Sequence, residues 1–192
     1  MNYQNGAWES REGYAAFWPK QAVQITYSED SVTFLAPEAY YTGHGSTLGG
    51  IVLTVKISAP CKEVLRVQAW HHNGGVQKGP AFSLNLPASN EDRSFEETEN
   101  EVIIKSGSLS CTVTKKPWMF RFERDGELIT ESTARDLVYV KSDWKGLMYD
   151  APGNAYMSQM LSLQVDELIY GLGERFGTFV KNGQKIVCRN EN

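Results

Sequence analysis

From residue 23 to residue 27, apolar Val23, Ile25 and Tyr27 alternate with Gln24 and Thr26. This period of two turns one row of side chains toward a core and the other toward water. The alternation returns at 51–58, where Ile51, Leu53, Val55 and Ile57 interleave with Thr54, Lys56 and Ser58, and at 65–69, where Leu65, Val67 and Ala69 flank Arg66 and Gln68. It recurs at 109–113 (Leu109, Cys111, Val113) and at 161–165 (Leu161, Leu163, Val165). Each run is read as a half-buried strand. Turn chemistry falls between the runs: Ser28-Glu29-Asp30-Ser31 ahead of 32–35, Ser106-Gly107 ahead of 109, and Asp125-Gly126 joining 118–123 to 128–130. The Asp-Gly pair is the sharpest of these signals, because a type I′ turn needs positive φ at both central positions. No apolar stripe at spacing 3, 4 and 7 lasts beyond a turn or two, and the acidic stretch 90–100 (NEDRSFEETEN) reads as a solvated loop. The pattern predicts an all-β chain with few or no long helices, an antiparallel β-sandwich forming a single domain over 1–192.

Composition agrees. The β-branched residues number 33 against 27 for Ala plus Leu, and 41% of the 192 residues are hydrophobic. A chain of this length buries roughly 70% of its extended surface on folding, so its core needs neither metal nor disulfide. A net charge of -4 offers no basic footprint for phosphate backbones, so nucleic acid is not an expected partner. Cys61, Cys111 and Cys188 are odd in number and far apart, and read as reduced thiols without a zinc knuckle. Glu9, Arg11 and Glu12 interrupt the place a leader's apolar stretch would take, and no apolar run approaches the ~20 residues of a membrane span. The expectation is a cytoplasmic protein with no membrane partner.

Candidate chemistry is sparse. His71 and His72 are neighbours on a strand-like segment, where successive side chains face opposite ways and cannot ligate one ion together. His44 lies in a Gly-rich stretch, 42–50, read as a surface loop, and no GxSxG elbow supports a hydrolase triad. Cys188 has no basic neighbour beyond Arg189 to lower its pKa. The run Tyr170-Gly171-Leu172-Gly173-Glu174-Arg175-Phe176 opens like a dinucleotide fingerprint, but Phe176 stands where the third glycine belongs and no helical pattern follows. No cofactor, no metal and no catalytic residue is assigned. Five tryptophans, Trp8, Trp18, Trp70, Trp118 and Trp144, offer either core or sugar platforms, and Trp118 with Phe120 and Phe122 at period two reads as core.

The segment Leu168-Ile169-Tyr170-Gly171-Leu172-Gly173-Glu174-Arg175-Phe176, followed by Val180-Lys181-Asn182-Gly183-Gln184, resembles the end of the N-terminal domain of glycoside hydrolase family 31, in particular its α-xylosidase branch. Further matches run in the same order: Gly79-Pro80 with Ser83-Leu84-Asn85, Lys105-Ser106-Gly107-Ser108-Leu109-Ser110, and 118–126 with Ile129-Thr130. The resemblance implies a galactose-mutarotase-like sandwich that is the non-catalytic N-terminal domain of a retaining α-glycosidase. Its partner would be a C-terminal catalytic barrel of the same polypeptide, carrying both aspartates, with an α-linked xylosyl or glucosyl oligosaccharide as substrate. The 177–192 hairpin would pack on that barrel. In the family a W-N-x-D loop after the NGQ motif reaches the sugar; here it reads Arg189-Asn190-Glu191-Asn192, so Asn190 and Asn192 are the candidate substrate contacts. An amide at Asn192 bonds a hydroxyl without charge. Gly171, Gly173, Glu174, Arg175 and the Asn182-Gly183 turn read as structural. Alternatives are a free-standing carbohydrate-binding module, from the aromatic content, and a mutarotase-like protein using His71 or His72 with an acid.

Overall fold

The computed structural model describes residues 3–5, 9–47, 50–71, 85, 90–142, 154–173, 176–186 and 188. Within them lie twelve strands: β1 (Tyr14–Phe17), β2 (Gln24–Tyr27), β3 (Ser31–Pro37), β4 (Val52–Ser58), β5 (Arg66–Trp70), β6 (Arg93–Glu97), β7 (Glu101–Ser106), β8 (Leu109–Thr114), β9 (Met119–Arg124), β10 (Glu127–Ser132), β11 (Leu137–Ser142) and β12 (Ala155–Gln159). The one helical turn among the described residues is a 3₁₀ segment, His44–Thr47. Three antiparallel sheets result, in the orders β2-β3-β4-β5, β10-β9-β8-β7-β6 and β1-β11-β12. The chain divides into two compact units, Met1–Ser162, which holds all the strands, and Leu163–Asn192.

The alternation seen in the sequence is what joins the sheets. Val32, Phe34 and Ala36 of β3 and Leu53, Val55 and Ile57 of β4 form one buried layer. It meets Val102, Ile104, Cys111, Val113, Trp118 and Phe120 from the five-stranded sheet, together with Leu137 and Tyr139 of β11. Trp118 is edge-on to Phe34 at 5.6 Å, and Phe120 meets Phe122 edge-on at 5.7 Å, the arrangement ring quadrupoles favour. The 118–122 aromatics therefore fill the sandwich interior, as their spacing predicts. The Asp125-Gly126 turn also forms: φ is +50° and +84°, and Arg124 pairs with Glu127 across it. Strand β11 is buried on both faces, with Val138 and Val140 packing under Tyr3, Tyr14, Ala16 and Trp18 in a second, smaller cluster.

Three expectations are corrected. Residues 161–165 form no strand: the β11 ladder ends at Leu137 opposite Gln159, and Ser162 is tied to Thr130 and Glu131 of β10 by isolated hydrogen bonds that do not extend into a ladder; Leu161 and Leu163 are half exposed. The 90–100 stretch holds strand β6 where a loop was expected. Phe95 packs on the core while the charges of this edge strand are matched across the sheet, Glu96 by Lys105 at 2.7 Å and Glu97 by Lys115 at 2.6 Å. Strand β2 is likewise an edge: only Ile25 reaches the core, and Val23 and Tyr27 stay exposed.

The two edges are tied together. The Tyr27 hydroxyl donates to Glu97, and the Tyr27 and Phe95 rings lie 6.2 Å apart. Hydrogen bonds from Lys115 and then from Tyr27 hold the Glu97 carboxyl below its usual range. A carboxyl with a depressed folded pKa contributes stability above its unfolded value of about 4.3, and that contribution is lost as pH falls through the folded one. Glu97→Gln is therefore expected to flatten slightly the acid limb of urea midpoint against pH, the effect being small at so exposed a pair. An unchanged limb would show that the tie carries no linkage.

Burial pushes the Cys111 thiol far up, whereas Cys188 is exposed and Cys61 half buried. In native protein a thiol reagent should modify Cys188 first and Cys111 only after denaturation. Early labelling of Cys111 on peptide mapping would contradict the packing described.

Candidate functional site

The segment carrying the family-like motifs lies in the second unit, and its order comes from one side chain. Asn182 Oδ1 accepts the Ile169 amide at 2.7 Å, and Asn182 Nδ2 donates to the Glu167 carbonyl at 2.9 Å. The Lys181 amide donates to the Ile169 carbonyl at 2.8 Å, so two chain segments are held side by side without a regular ladder. Beyond the turn, Gln184 donates to the Val180 carbonyl at 2.8 Å and to the Thr178 hydroxyl, and Lys181 Nζ reaches the Thr178 carbonyl at 2.6 Å. The NGQ residues thus brace their own corner, as the structural reading of the Asn182-Gly183 turn expects.

Gly171, Leu172 and Gly173 all have positive φ, at +118°, +71° and +68°. A Cβ at either glycine would meet nothing within 4 Å, so backbone conformation and not crowding demands glycine there. Large apolar side chains of this unit are exposed among its polar ones. Val165 is 93% exposed and Phe179 81%; Phe176 is fully exposed, and Leu163, Leu168, Tyr170 and Leu172 are about half exposed. The Tyr170 and Phe179 rings lie 5.2 Å apart, an aromatic pair open to solvent.

The substrate contacts expected from the sequence, Asn190 and Asn192, lie outside the described residues, as do Arg189, Glu174, Arg175, His72, Trp8 and Trp144. His71 is stacked on Tyr139, ring centroids 4.7 Å apart, so its imidazole is part of the packing around β11. His44 begins the 3₁₀ turn, inside the stretch read as a surface loop. Among the described residues no group of three His, Cys, Asp or Glu could hold a metal ion, and no helix is long and apolar enough to cross a membrane.

Two grooves among the described residues of the first unit are large enough for a small molecule. One, of about 310 Å³, runs between Val67, Ala69, Phe122, Leu137, Met157 and Leu161 and carries no ionisable side chain. The other, of about 380 Å³, is lined by Gln4, Trp18, Arg135, Asp136 and Met160, with a single carboxylate. Neither places two carboxylates across a cleft, the arrangement glycosidic hydrolysis requires. The second groove was invisible to motif reading. Its nearest sequence signal is the unbroken apolar run Leu137-Val138-Tyr139-Val140, which marks a strand buried on both faces and so a third sheet whose end the groove occupies.

The sandwich of antiparallel sheets is of the galactose-mutarotase-like class. Residues 54–192 match the glycosyl hydrolase 31 N-terminal galactose mutarotase-like domain, and the chain belongs to that family. It is similar to the α-xylosidase of Emericella nidulans, 30% identical over 207 residues, covering 100% of this chain and 26% of that protein. It is equally similar to the α-xylosidase XylQ of Lactiplantibacillus pentosus, 30% identical over 193 residues, covering 100% of this chain and 24% of the relative. The chain thus spans about a quarter of the length of the curated relatives it matches. Among solved structures, the Listeria monocytogenes cycloalternan-forming enzyme in complex with a pentasaccharide substrate aligns with a TM-score of 0.63 at 20% identity, over 89% of this chain and 14% of that one. The Flavobacterium johnsoniae dextranase of family 31, complexed with glucose, aligns at 0.57 and 14% identity, over 86% and 18%. At these identities the structures show the shared fold.

Proposed function

We propose that this chain is the non-catalytic N-terminal domain of a cytoplasmic retaining α-glycosidase of the α-xylosidase kind, forming one domain over 1–192. It supports a C-terminal catalytic barrel and shapes the cleft in which an α-linked xylosyl or glucosyl oligosaccharide is cut. The observation that carries this reading is the exposure of large apolar side chains in the second unit, Val165, Phe176 and Phe179 among them, in the segment that the Asn182 hydrogen bonds hold. A surface of that kind gains from burial against a neighbour, at about 25 cal/mol per Å² of apolar area removed from water. In this reading the 177–192 hairpin packs on the barrel, and Asn190 and Asn192 lie beside the sugar, offering amide hydrogen bonds to its hydroxyls. The chain's part in the reaction is positional. It orders the segment that closes one side of the cleft, while both carboxylates needed for retention come from the barrel.

Incubating the 192-residue chain with p-nitrophenyl α-xyloside should release no nitrophenol above the buffer rate. Sustained turnover, proportional to protein, would overturn the reading.

A further inference from the structure

The ladder of β1 and β11 stops at Phe17 opposite Tyr139, and that of β11 and β12 at Leu137 opposite Gln159. Trp18, Asp136 and Met160 therefore follow one another at the same end of the three-stranded sheet, joined by a hydrogen bond from the Met160 amide to the Asp136 carbonyl at 2.9 Å. With Gln4 and Arg135 they line the groove of about 380 Å³. We propose that this groove binds a neutral pyranoside unit.

The chemistry of the lining supports that ligand class. Trp18 turns its ring nitrogen inward, where it is buried, and lines the groove as the platform on which Arg135 rests. The Arg135 guanidinium carbon lies 5.6 Å from the centre of that ring, and among the described residues Arg135 makes no hydrogen bond or ion pair, so its fork of donors is open to a ligand. Asp136 is fixed in advance. Its Oδ2 accepts from the Thr133 amide at 2.6 Å and from the Thr133 hydroxyl at 2.8 Å, while Oδ1 has no hydrogen bond among the described residues. A donor fork beside a pinned acceptor matches vicinal hydroxyls, each of which both donates and accepts. Opposite charges side by side remove any advantage for an anion, since what Arg135 gains Asp136 cancels. The volume falls at the lower end of the ~300–1,000 Å³ of small-molecule sites.

The choice of sugar rests on the family 31 function proposed above, which makes α-xylosyl chains the material this surface would meet. Titrating the 192-residue chain with isoprimeverose, followed by calorimetry and saturation-transfer NMR, should give saturable binding with a Kd on the order of 1 mM. Arg135→Ala, which removes the donor fork and uncovers the Trp18 ring beneath it, should weaken it about tenfold. Trp18→Phe, which keeps a ring beneath Arg135, should weaken it less. No saturable binding by the wild-type chain, or equal affinity in Arg135→Ala, would overturn the proposal. So would tighter binding of D-glucuronate or inorganic phosphate than of the disaccharide. Failure on any of these counts leaves the accessory-domain reading standing, whereas free xylose appearing during the titration would count against that reading and not against the groove.

Discussion

Trp118→Ala is expected to lower unfolding free energy by about 3–5 kcal/mol, a large share of the ~5–15 kcal/mol that holds a domain together. Trp118 is fully buried and packs edge-on against Phe34 of the facing sheet at 5.6 Å and near Phe120 of its own at 6.4 Å, so truncation opens a cavity at the junction of the two layers. Its ring nitrogen is buried without a partner, so Trp118→Phe discards a polar group that gains nothing from burial and should cost well under half as much. Urea unfolding monitored by far-ultraviolet circular dichroism separates the two variants through their midpoints. A loss below about 1 kcal/mol for the alanine variant would mean that the contact between the sheets lies elsewhere.

The second large effect is local. Asn182→Ala removes both hydrogen bonds that hold residues 167–169 against the 181–183 turn, each contributing about 1 kcal/mol, so local opening should rise roughly 30-fold. The amide of Lys181 is the right reporter, because its bond to the Ile169 carbonyl is retained in the variant and fails only if the corner opens. Hydrogen exchange at Lys181 should therefore accelerate while exchange in β3, β4 and β8 stays unchanged. Equal exchange at Lys181 in both proteins would show that the turn holds without its asparagine. Retention of the brace matters for the proposed function, since a segment meant to line a cleft contributes to rate only when it is fixed before substrate arrives.

Strands whose alternation coincides with burial were legible in the sequence. Leu53, Val55 and Ile57 lie in the core as their period predicts, Trp118 and Phe120 fill the interior, and Asp125-Gly126 makes the hairpin its φ requirement implies. The failures share a cause. Alternation reports a row of apolar side chains and not the presence of a strand to pair with, so 161–165 looked like β structure although no ladder reaches it. Strand β6 looked like a loop because its charges are satisfied by Lys105 and Lys115, which come from β7 and the turn after β8 and are not apparent from the stretch itself. The groove at Trp18, Arg135 and Asp136 escaped for a similar reason, since strand register alone brings together positions from opposite ends of the first unit. The family-like motif near the carboxyl terminus was readable as sequence, and the geometry adds why Asn182 stands within it.

The central claim, that this chain organises a cleft whose carboxylates reside in a barrel, is tested most directly by complementation. A family 31 α-xylosidase barrel prepared without its own N-terminal domain would be assayed on isoprimeverose with and without the 192-residue chain added. The account predicts little xylose release from either polypeptide alone and a saturable rise when the two are combined. Full activity of the barrel alone, unaffected by the chain, or release by the chain alone would contradict it.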